Sequence, residues 1–573
     1  MKSFASALLM AMFVSCIPAV RASEPSFQGK VVVVVSPHST DYLEGAGGII
    51  AKMIQEGATV YLIRVTNDEK HGYAMPVNEV RVRSYDEAQR AAAIMGFKQV
   101  IDLNLKDGEV TDVQEPELRG RLSAIYRKLA PTTLVTADPW ALYDPDLDDQ
   151  RVARAAVDAC WNASSTTFYP ELPMIEGPTR FQNIYDRYFW TTNGGVHPEN
   201  QYFDVTGTLQ KEFEALEAMP TIVSAEIALE RVRHARQNYR SRPPEDATAI
   251  RNYLEQRYGS PAEKLGRGNG VKYAQRIYHY EGGADTAQFI RSLEQEKNGG
   301  HPPKARPALL HFEKGEGRVV LMVGQDFPAL IQHAGGTAVL LSQSGFKVDA
   351  VIITNQDKDG NGASAAANAF GNQADDKSAA EILGIRRIFN LGFEQGRIAD
   401  TPPTVVRDSL LWILRSENPE MVILPDPWIR YTDREEVLIG RIAADAVYRM
   451  TSLAMAPEQQ DLAKDAKPVS RILYWEDGPA SSRSVTANVA VDVSGIELKK
   501  EGAIARLHAW LSLEELLSPE LSAAKGQGSS GSLRDSALHT LVNQGFTTSD
   551  KDEGKIVGVG YAEEFHQIMQ AQQ

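Results

Sequence analysis

Cysteine is nearly absent from this sequence, which has two among its 573 residues, Cys16 and Cys160. The first 22 residues place Lys2 before a short apolar run at 7–14 and end on small residues, a pattern typical of a cleaved signal peptide. Cleavage after residue 22 would leave Cys160 as the single cysteine. We therefore expect no internal disulfide and no metal site built from cysteines.

Long hydrophobic runs are also missing. The apolar run at residues 7–14 is far shorter than the ~20 residues that a membrane-spanning helix needs. We therefore expect an exported protein, periplasmic or secreted, without an integral membrane segment after cleavage. Cys16 follows Phe13-Val14-Ser15, a variant of the lipobox, so a lipoprotein attached through Cys16 is the less favoured alternative.

Positive charge is in deficit, because 60 Lys and Arg residues face 75 Asp and Glu residues and give a formal net charge of −15. Binding to nucleic acid or to an anionic membrane surface depends on clustered positive charge. Neither partner is expected here, and the composition favours a small or neutral ligand instead.

An internal repeat dominates the rest of the chain. Ala46-Gly47-Gly48 recurs as Ala334-Gly335-Gly336, 288 positions later (334 − 46), and Asp138-Pro139-Trp140 recurs as Asp426-Pro427-Trp428 at the same offset. An offset that holds over so long a stretch predicts two copies of one domain. We place the first copy at residues 28–285, a linker at 286–315 and the second copy at 316–573.

Each copy alternates strand-like and helix-like segments. The continuous β-branched run at residues 31–36 indicates a strand buried on both faces, and apolar residues at helical spacing follow it at 45–55. This alternation predicts an α/β fold of two tandem Rossmann-like domains, each a mostly parallel sheet flanked by helices. Such sheets bind ligands outside the carboxyl ends of their strands. The other predicted strands are 59–65, 99–103 and 133–136, and the other predicted helices are 80–95 and 115–129.

The loops after these strands carry motifs in a specific order. The first is Pro37-His38-Ser39-Thr40-Asp41-Tyr42, which precedes the glycine pair Gly47-Gly48 near the start of a helix. Three further segments follow: Thr66-Asn67-Asp68-Glu69, Leu105-Lys106-Asp107-Gly108-Glu109 and Tyr202-Phe203-Asp204-Val205-Thr206. Their order and spacing resemble the PIG-L (LmbE-like) family of zinc-dependent N-acetylglucosaminyl de-N-acetylases, over nearly all of both copies. The architecture that this implies is a tandem of two PIG-L/LmbE-like domains.

The resemblance implies a metal site in the first copy. The family's AHPDDE motif supplies two metal ligands, which fall on His38 and Asp41, and the last His of its second motif falls on Asp149. The implied cofactor is a divalent metal, zinc by resemblance. A set of one His and two Asp residues is nevertheless richer in oxygen than the family's own set.

The position of the family's general base is filled by Thr40, whose hydroxyl cannot accept a proton near neutral pH. Asp148 or Asp146 would have to replace it, and these two are the catalytic residues that we predict. Asp146 falls where the family has the first His of its second motif. His71, in the loop after a strand, is expected on the surface rather than in the cleft.

The second copy departs further from the family's motifs. Asp326, Pro328 and Ala329 stand where the family has its His and two Asp residues, so no full ligand set survives. Residues 433–436 oppose residues 146–149 at an offset of 287 (433 − 146), and they include acids but no His. We expect a degenerate site there.

The function implied by the resemblance is hydrolysis, by an exported metal-dependent enzyme that removes N-acetyl groups from an amino sugar or glycoconjugate. The alternative is a catalytically inactive PIG-L-like pseudoenzyme that acts as a carbohydrate-binding scaffold. Thr40, Asp149 and the second copy favour this alternative. His38, Asp41 and the acids at residues 146–149 favour the enzyme.

Overall fold

A computed structural model describes the chain over residues 26–72, 75–141, 144–165, 168–172, 183–191, 199–235, 246–281, 306–358, 364–427, 434–475, 487–508 and 547–569. The predicted signal peptide and Cys16 lie outside these ranges. Within them, no helix combines the length and the apolar character that crossing a membrane requires.

The first copy is built on a seven-stranded sheet with the order β3-β2-β1-β4-β5-β7-β6. The pairs from β3 through β5 are parallel, and β7 runs antiparallel to both β5 and β6. The β-branched run of β1 lies at the centre of the parallel part, which explains why its valines are buried. The strands are β1 (Val31–Ser36), β2 (Thr59–Thr66), β3 (Gln99–Leu105), β4 (Thr133–Ala137), β5 (Asp186–Trp190), β6 (Gln201–Asp204) and β7 (Ala274–Glu281).

Helices cover both faces of this first sheet. One core joins Val32 and Val34 to helices α1, α2, α5 and α6, and the other joins Val33 and Val35 to α3 and α4. Alternate valines of one strand therefore anchor the two outer layers. The helices are α1 (Asp41–Gln55), α2 (Val77–Met95), α3 (Glu115–Leu129), α4 (Leu147–Asn162), α5 (Leu209–Glu217), α6 (Pro220–Ala235), α7 (Ala247–Leu254) and α8 (Ser260–Asn269).

The second copy repeats this plan in an eight-stranded sheet with the order β11-β10-β9-β12-β13-β15-β14-β8. Its antiparallel strand is β15, the counterpart of β7. The strands are β8 (Ala308–Leu309), β9 (Val319–Gly324), β10 (Lys347–Thr354), β11 (Ile385–Phe393), β12 (Met421–Pro425), β13 (Arg471–Trp475), β14 (Val489–Asp492) and β15 (Ala562–Met569). The helices are α9 (Phe327–Gln343), α10 (Ala365–Leu383), α11 (Pro403–Glu417), α12 (Arg434–Arg449), α13 (Gln460–Asp465), α14 (Glu497–Ile504) and α15 (Thr547–Val557).

The repeated glycine pair has a structural explanation. Helix α1 is kinked at Ala46, where φ is −154° and ψ is 18°, and the kink leaves backbone N–H groups without partners in the helix. Gly48 N donates to Glu212 Oε2 at 2.7 Å, and Ile49 N donates to Gln275 Oε1 at 3.1 Å. A Cβ at Gly47 would lie 2.6 Å from Cγ of Glu212, so only glycine permits this approach.

The predicted α/β class and the mostly parallel sheets are confirmed. The strand predicted at residues 31–36 and the helix predicted at 115–129 have the observed bounds, and the other predicted elements shift by a few residues. Part of the segment predicted as a linker, residues 306–315, contributes β8, which pairs with β14 in the second sheet. The limits of the two domains stay a prediction.

Candidate metal centre in the first copy

The first copy collects polar side chains at the carboxyl edge of its sheet. The loop between β1 and α1 carries His38, the loop after β3 carries Asp107, and α4 begins beside the acid Asp146. Parallel sheets bind ligands at this edge, because the loops that leave neighbouring strands converge there.

His38 is buried and faces two carboxylates with its Nδ1. This nitrogen lies 3.1 Å from Asp41 Oδ2 and 3.3 Å from Asp149 Oδ1. The backbone N–H of His38 donates to Asp41 Oδ2 at 2.7 Å, which fixes Asp41 beside the ring. Asp149 Oδ1 is buried and has no hydrogen-bond partner. The structure thus brings together the three residues that the sequence predicts as metal ligands.

The other ring nitrogen of His38 faces a second group. Nε2 lies 3.4 Å from Asp107 Oδ1 and 3.9 Å from Asp148 Oδ2. Asp107 Oδ2 lies 2.8 Å from Nδ1 of His71, whose ring centroid is 4.3 Å from that of His38. His71 lines the cavity of this site, and 24 % of its side chain is exposed. The expectation that His71 lies outside the cleft is therefore wrong, because its contact with Asp107 holds it at the site.

Asp148, one of the two predicted catalytic residues, holds a neighbouring loop. Its carboxylate accepts from the backbone N–H groups of Gly108 at 2.6 Å and Val110 at 3.1 Å. Burial and the charge of Asp146 raise the pKa of Asp148 to about 7. Asp146 and Asp149 line the cavity, whereas Asp148 lies behind them and is 1 % exposed. Of the two predicted catalytic residues, Asp146 is therefore the one placed to touch a ligand.

Negative charge in this cluster is packed out of water. Burial, followed by the charges of Asp41 and Asp146, raises the pKa of Asp149 well above its ordinary value. Burial alone would lower the pKa of His38, but Asp41 and Asp107 raise it well above its ordinary value. Burial raises the pKa of Asp149, and the neighbouring carboxylates raise the pKa of both groups, an arrangement that favours a bound proton or metal ion.

Thr40, at the position of the family's base, is buried beside a carboxylate. Its hydroxyl donates to Glu226 Oε1 of helix α6 at 3.3 Å. Burial and the neighbouring Glu44 raise the pKa of Glu226 well above its ordinary value. Glu226 also lines the cavity. Position 40 has no acid of its own, but an acid lies within hydrogen-bond reach of it.

These residues form one end of a cavity of about 290 Å³. This volume is close to the lower end of the ~300–1,000 Å³ range of small-molecule sites. Helices α6 and α7 contribute Glu226 and Tyr253 to its wall, and the second copy contributes Tyr448, Arg449 and Thr451. Both copies therefore build the cavity.

Arg449, the last residue of α12, links the second copy to this site. Its Nη2 donates to Asp146 Oδ1 at 2.7 Å and its Nε donates to Asp445 Oδ1 at 2.6 Å, with all three side chains buried. Burial alone would raise the pKa of Asp146, but the Arg449 guanidinium lowers it below its ordinary value. Arg407 adds a contact nearby, because its Nη1 donates to the carbonyl oxygen of Gly108 at 2.6 Å. The second copy thus keeps an acid of the first copy's cavity ionised.

The equivalent positions of the second copy make structural contacts. Asp326, at the position of His38, caps α9 by accepting from Ala329 N at 2.8 Å. Glu436, opposite Asp149, accepts from Trp475 Nε1 at 3.1 Å. Within the described part of the chain, the groups of His and acidic residues close enough to share a metal ion lie in the first copy. The degeneration of the second site stays a prediction.

Sequence reasoning missed Glu226, Arg449 and the pair His71–Asp107 as parts of this site. Asp107 lies in one of the motifs that carry the resemblance, and its place there could have identified it as a residue of the site. Glu226 is 186 residues from its partner Thr40, and Arg449 is 303 residues from Asp146. Because these contacts form through tertiary packing, no local pattern points to them.

Two segments of the chain match the model of the PIG-L family, which is described as GlcNAc-PI de-N-acetylase. They are residues 33–160 and residues 331–446. Each copy of the duplicated chain therefore carries a PIG-L segment. This confirms both the resemblance and the tandem duplication.

Similar proteins include a diacetylchitobiose deacetylase from Thermococcus kodakarensis, which is 24% identical over 200 residues, 34% of this chain and 71% of the relative. Among solved structures, the N,N'-diacetylchitobiose deacetylase from Pyrococcus horikoshii is 21% identical with a TM-score of 0.35, and the match covers 44% of this chain and 84% of that protein. GalB, the 4-carboxy-2-hydroxymuconate hydratase from Pseudomonas putida, is 19% identical with a TM-score of 0.32, over 44% of this chain and 95% of GalB.

Proposed function

We propose that this chain, a tandem pair of PIG-L domains, is an exported metal-dependent hydrolase that removes N-acetyl groups from an amino sugar or glycoconjugate. The observation that carries the proposal is the placement of His38, Asp41 and Asp149 at one end of a cavity large enough for a small ligand. Export is part of the proposal and rests on residues 1–22 alone.

The residues around His38 Nδ1 fit a divalent metal ion. Donor atoms about 2.0–2.1 Å from a tetrahedral zinc ion lie roughly 3.3–3.4 Å from one another. His38 Nδ1 lies 3.1 Å from Asp41 Oδ2 and 3.3 Å from Asp149 Oδ1, close to that spacing. Asp149 Oδ1 is buried without a hydrogen-bond partner, so a ligand role would satisfy it. The family resemblance implies zinc, whereas a set of one imidazole and two carboxylates also accepts a harder divalent ion.

An ion held there would polarise an amide carbonyl and lower the pKa of a bound water. Asp146 and Glu226 both line the cavity, and their environments push their pKa values in opposite directions. Such a difference separates the two roles of acid–base catalysis. We assign Asp146, kept ionised by Arg449, to accept the proton of the attacking water. Glu226, whose pKa is raised by burial and by Glu44, would give a proton to the leaving amine.

Acetate release from N,N'-diacetylchitobiose tests the proposal, because a relative named for that substrate supplies the probe. We expect the metal-loaded wild type to bind stoichiometric metal and to release acetate. The His38→Ala variant should lose the metal and release no acetate. Asp146→Asn should keep the metal and lose roughly 10²–10⁴ in rate. A wild type that binds metal and releases no acetate from any N-acetylated sugar would contradict the proposal.

The second candidate function is a pseudoenzyme that binds carbohydrate. Thr40 favours it, because the family's base position has lost its carboxylate. The same assay separates the two functions. A scaffold would bind the N-acetylated sugar in a calorimeter and leave it intact, and its binding would be the same in the Asp146→Asn variant.

A further inference from the structure

Both ring nitrogens of His38 are buried and face carboxylates. The contacts of Nδ1 belong to the proposed catalytic centre. On the opposite side, Nε2 lies 3.4 Å from Asp107 Oδ1 in an ion-pair contact, and neither atom has a hydrogen bond of normal geometry. Both side chains are at least nine-tenths buried. Buried polar atoms without partners are uncommon, and two of them facing each other require a reason.

The 3.4 Å separation matches two donors that share one ion. Neighbouring donors of a tetrahedral zinc ion are roughly 3.3–3.4 Å apart. A hydrogen bond would be shorter and aligned with the ring nitrogen, as in the 2.8 Å contact between His71 Nδ1 and Asp107 Oδ2. The pair His38 Nε2 and Asp107 Oδ1 therefore has the spacing of coordination.

His71 completes a third ligand position. Ligand atoms of His38, His71 and Asp107 all lie within 4.8 Å of one another. The His71 side chain lines the cavity and is 24 % exposed. The cavity side would leave a coordination position open.

The second copy shows what Asp107 does apart from this cluster. Its counterpart is Gln395 (395 − 107 = 288), whose Oε1 accepts from Lys358 N at 3.1 Å. Asp107 Oδ2 makes the equivalent contact, accepting from Lys70 N at 2.9 Å. An amide is thus sufficient to hold this loop. The carboxylate Asp107 lies in the first copy, which also has His38 and His71.

We propose that His38, His71 and Asp107 form a second, nitrogen-rich metal site that prefers Zn²⁺, on the opposite face of His38 from the site with Asp41 and Asp149. Two imidazoles and one carboxylate suit zinc, whereas one imidazole and two carboxylates suit harder ions such as Mn²⁺ or Mg²⁺. A neutral imidazole has one lone pair for coordination, so the two sites compete for His38. The identity of the ion then decides which side of the ring is occupied.

Zinc binding to the full-length chain, measured by titration calorimetry, tests this site with matched variants. His71→Gln keeps a hydrogen-bonding group next to Asp107, and Asp107→Asn keeps the acceptor for Lys70 N as Gln395 does. We expect each to weaken Zn²⁺ binding at least ~10-fold. Asp149→Asn should change it less than about threefold, and His38→Ala should abolish it. X-ray absorption at the zinc edge of the wild type should count two imidazoles.

The opposite pattern would overturn the proposal. If Asp149→Asn removes zinc while His71→Gln and Asp107→Asn retain it, or if the zinc edge shows one imidazole, zinc occupies the Nδ1 side. Equal loss in all variants, or no zinc bound, would also reject a distinct second site. The readout is binding, so it stands even if the wild type releases no acetate and the proposed hydrolysis fails.

Discussion

The two copies share a scaffold and differ in what it presents at the carboxyl edge of the sheet. Both have a kinked helix after the first strand, with the kink at Ala46 in one and at Ala334 in the other. Buried acids satisfy the N–H groups that the kink releases, Glu212 for Gly48 and Glu563 for Gly336. A buried acid therefore accepts from the kinked backbone in both copies, although Glu212 lies on helix α5 and Glu563 lies on strand β15.

The acids at the start of α4 and α12 also belong to the scaffold that the two copies share. Asp148 accepts from two backbone N–H groups of the loop after β3. Its counterpart Glu435 accepts from Gly396 N at 2.7 Å and Ile398 N at 2.8 Å. A contact present in both copies, of which one lacks the ligand set, belongs to the scaffold. The second copy has Asp326, Ala329 and Glu436 at the positions of His38, Asp41 and Asp149, so the metal chemistry that we propose would be limited to the first copy.

The second copy contributes residues to the cavity of the first copy. Arg449 reaches Asp146 and closes the cavity of the first copy, whereas the equivalent position of the first copy (449 − 287) is Asn162. The interface is therefore not symmetric.

The largest effect is expected from removing this link. Arg449→Ala leaves Asp146 buried without its cation, which should lower the free energy of unfolding by about 3–5 kcal/mol, whereas Asp445 keeps its contact with Arg407 Nη1 at 3.4 Å. Lys464→Ala, which breaks an exposed pair with Asp461, should leave the free energy of unfolding nearly unchanged and is the control. Urea unfolding measures both. Equal stability of the two variants would show that the copies do not depend on Arg449.

A smaller effect, on rate, is expected at position 226. Glu226→Gln should lower acetate release by roughly 10²-fold, because the leaving amine loses its proton donor, while the metal content stays unchanged. Glu230→Gln, on the same helix and also at the cavity wall, is the matched control and should keep most of the rate. Equal losses in both variants would assign Glu226 to the general charge of the cavity rather than to proton transfer.

The smallest effect concerns the acid behind the kink of α1. Burial raises the pKa of Glu212 from its ordinary 4.5 to about 8. The folded chain then binds more protons than the unfolded chain between these pH values, so stability falls as pH rises through this window. Glu212→Gln should reduce the slope of the free energy of unfolding against pH by on the order of 1 kcal/mol per pH unit. Unfolding measured from pH 5 to pH 8 with an unchanged slope would contradict a protonated Glu212.

Local patterns were sufficient to predict much of the scaffold, because the valine run of β1 and the apolar spacing of α1 indicated a strand and a helix. His38, Asp41 and Asp149 were predicted from the family resemblance rather than from these patterns. Glu226, Arg449 and the position of His71 could not be predicted, because each depends on how distant helices and loops pack. Asp148 shows the converse: its place in a family-like motif predicted chemistry, and its contacts are those of a loop anchor.

The most direct test of the account compares matched acids in the two copies. Asp149→Asn in the first copy and Glu436→Gln in the second copy change equivalent positions (436 − 287 = 149) in a conservative way. Acetate release by the metal-loaded full-length chain should be lost in Asp149→Asn and retained in Glu436→Gln. Loss in Glu436→Gln with activity kept in Asp149→Asn would place the chemistry in the second copy and contradict the account.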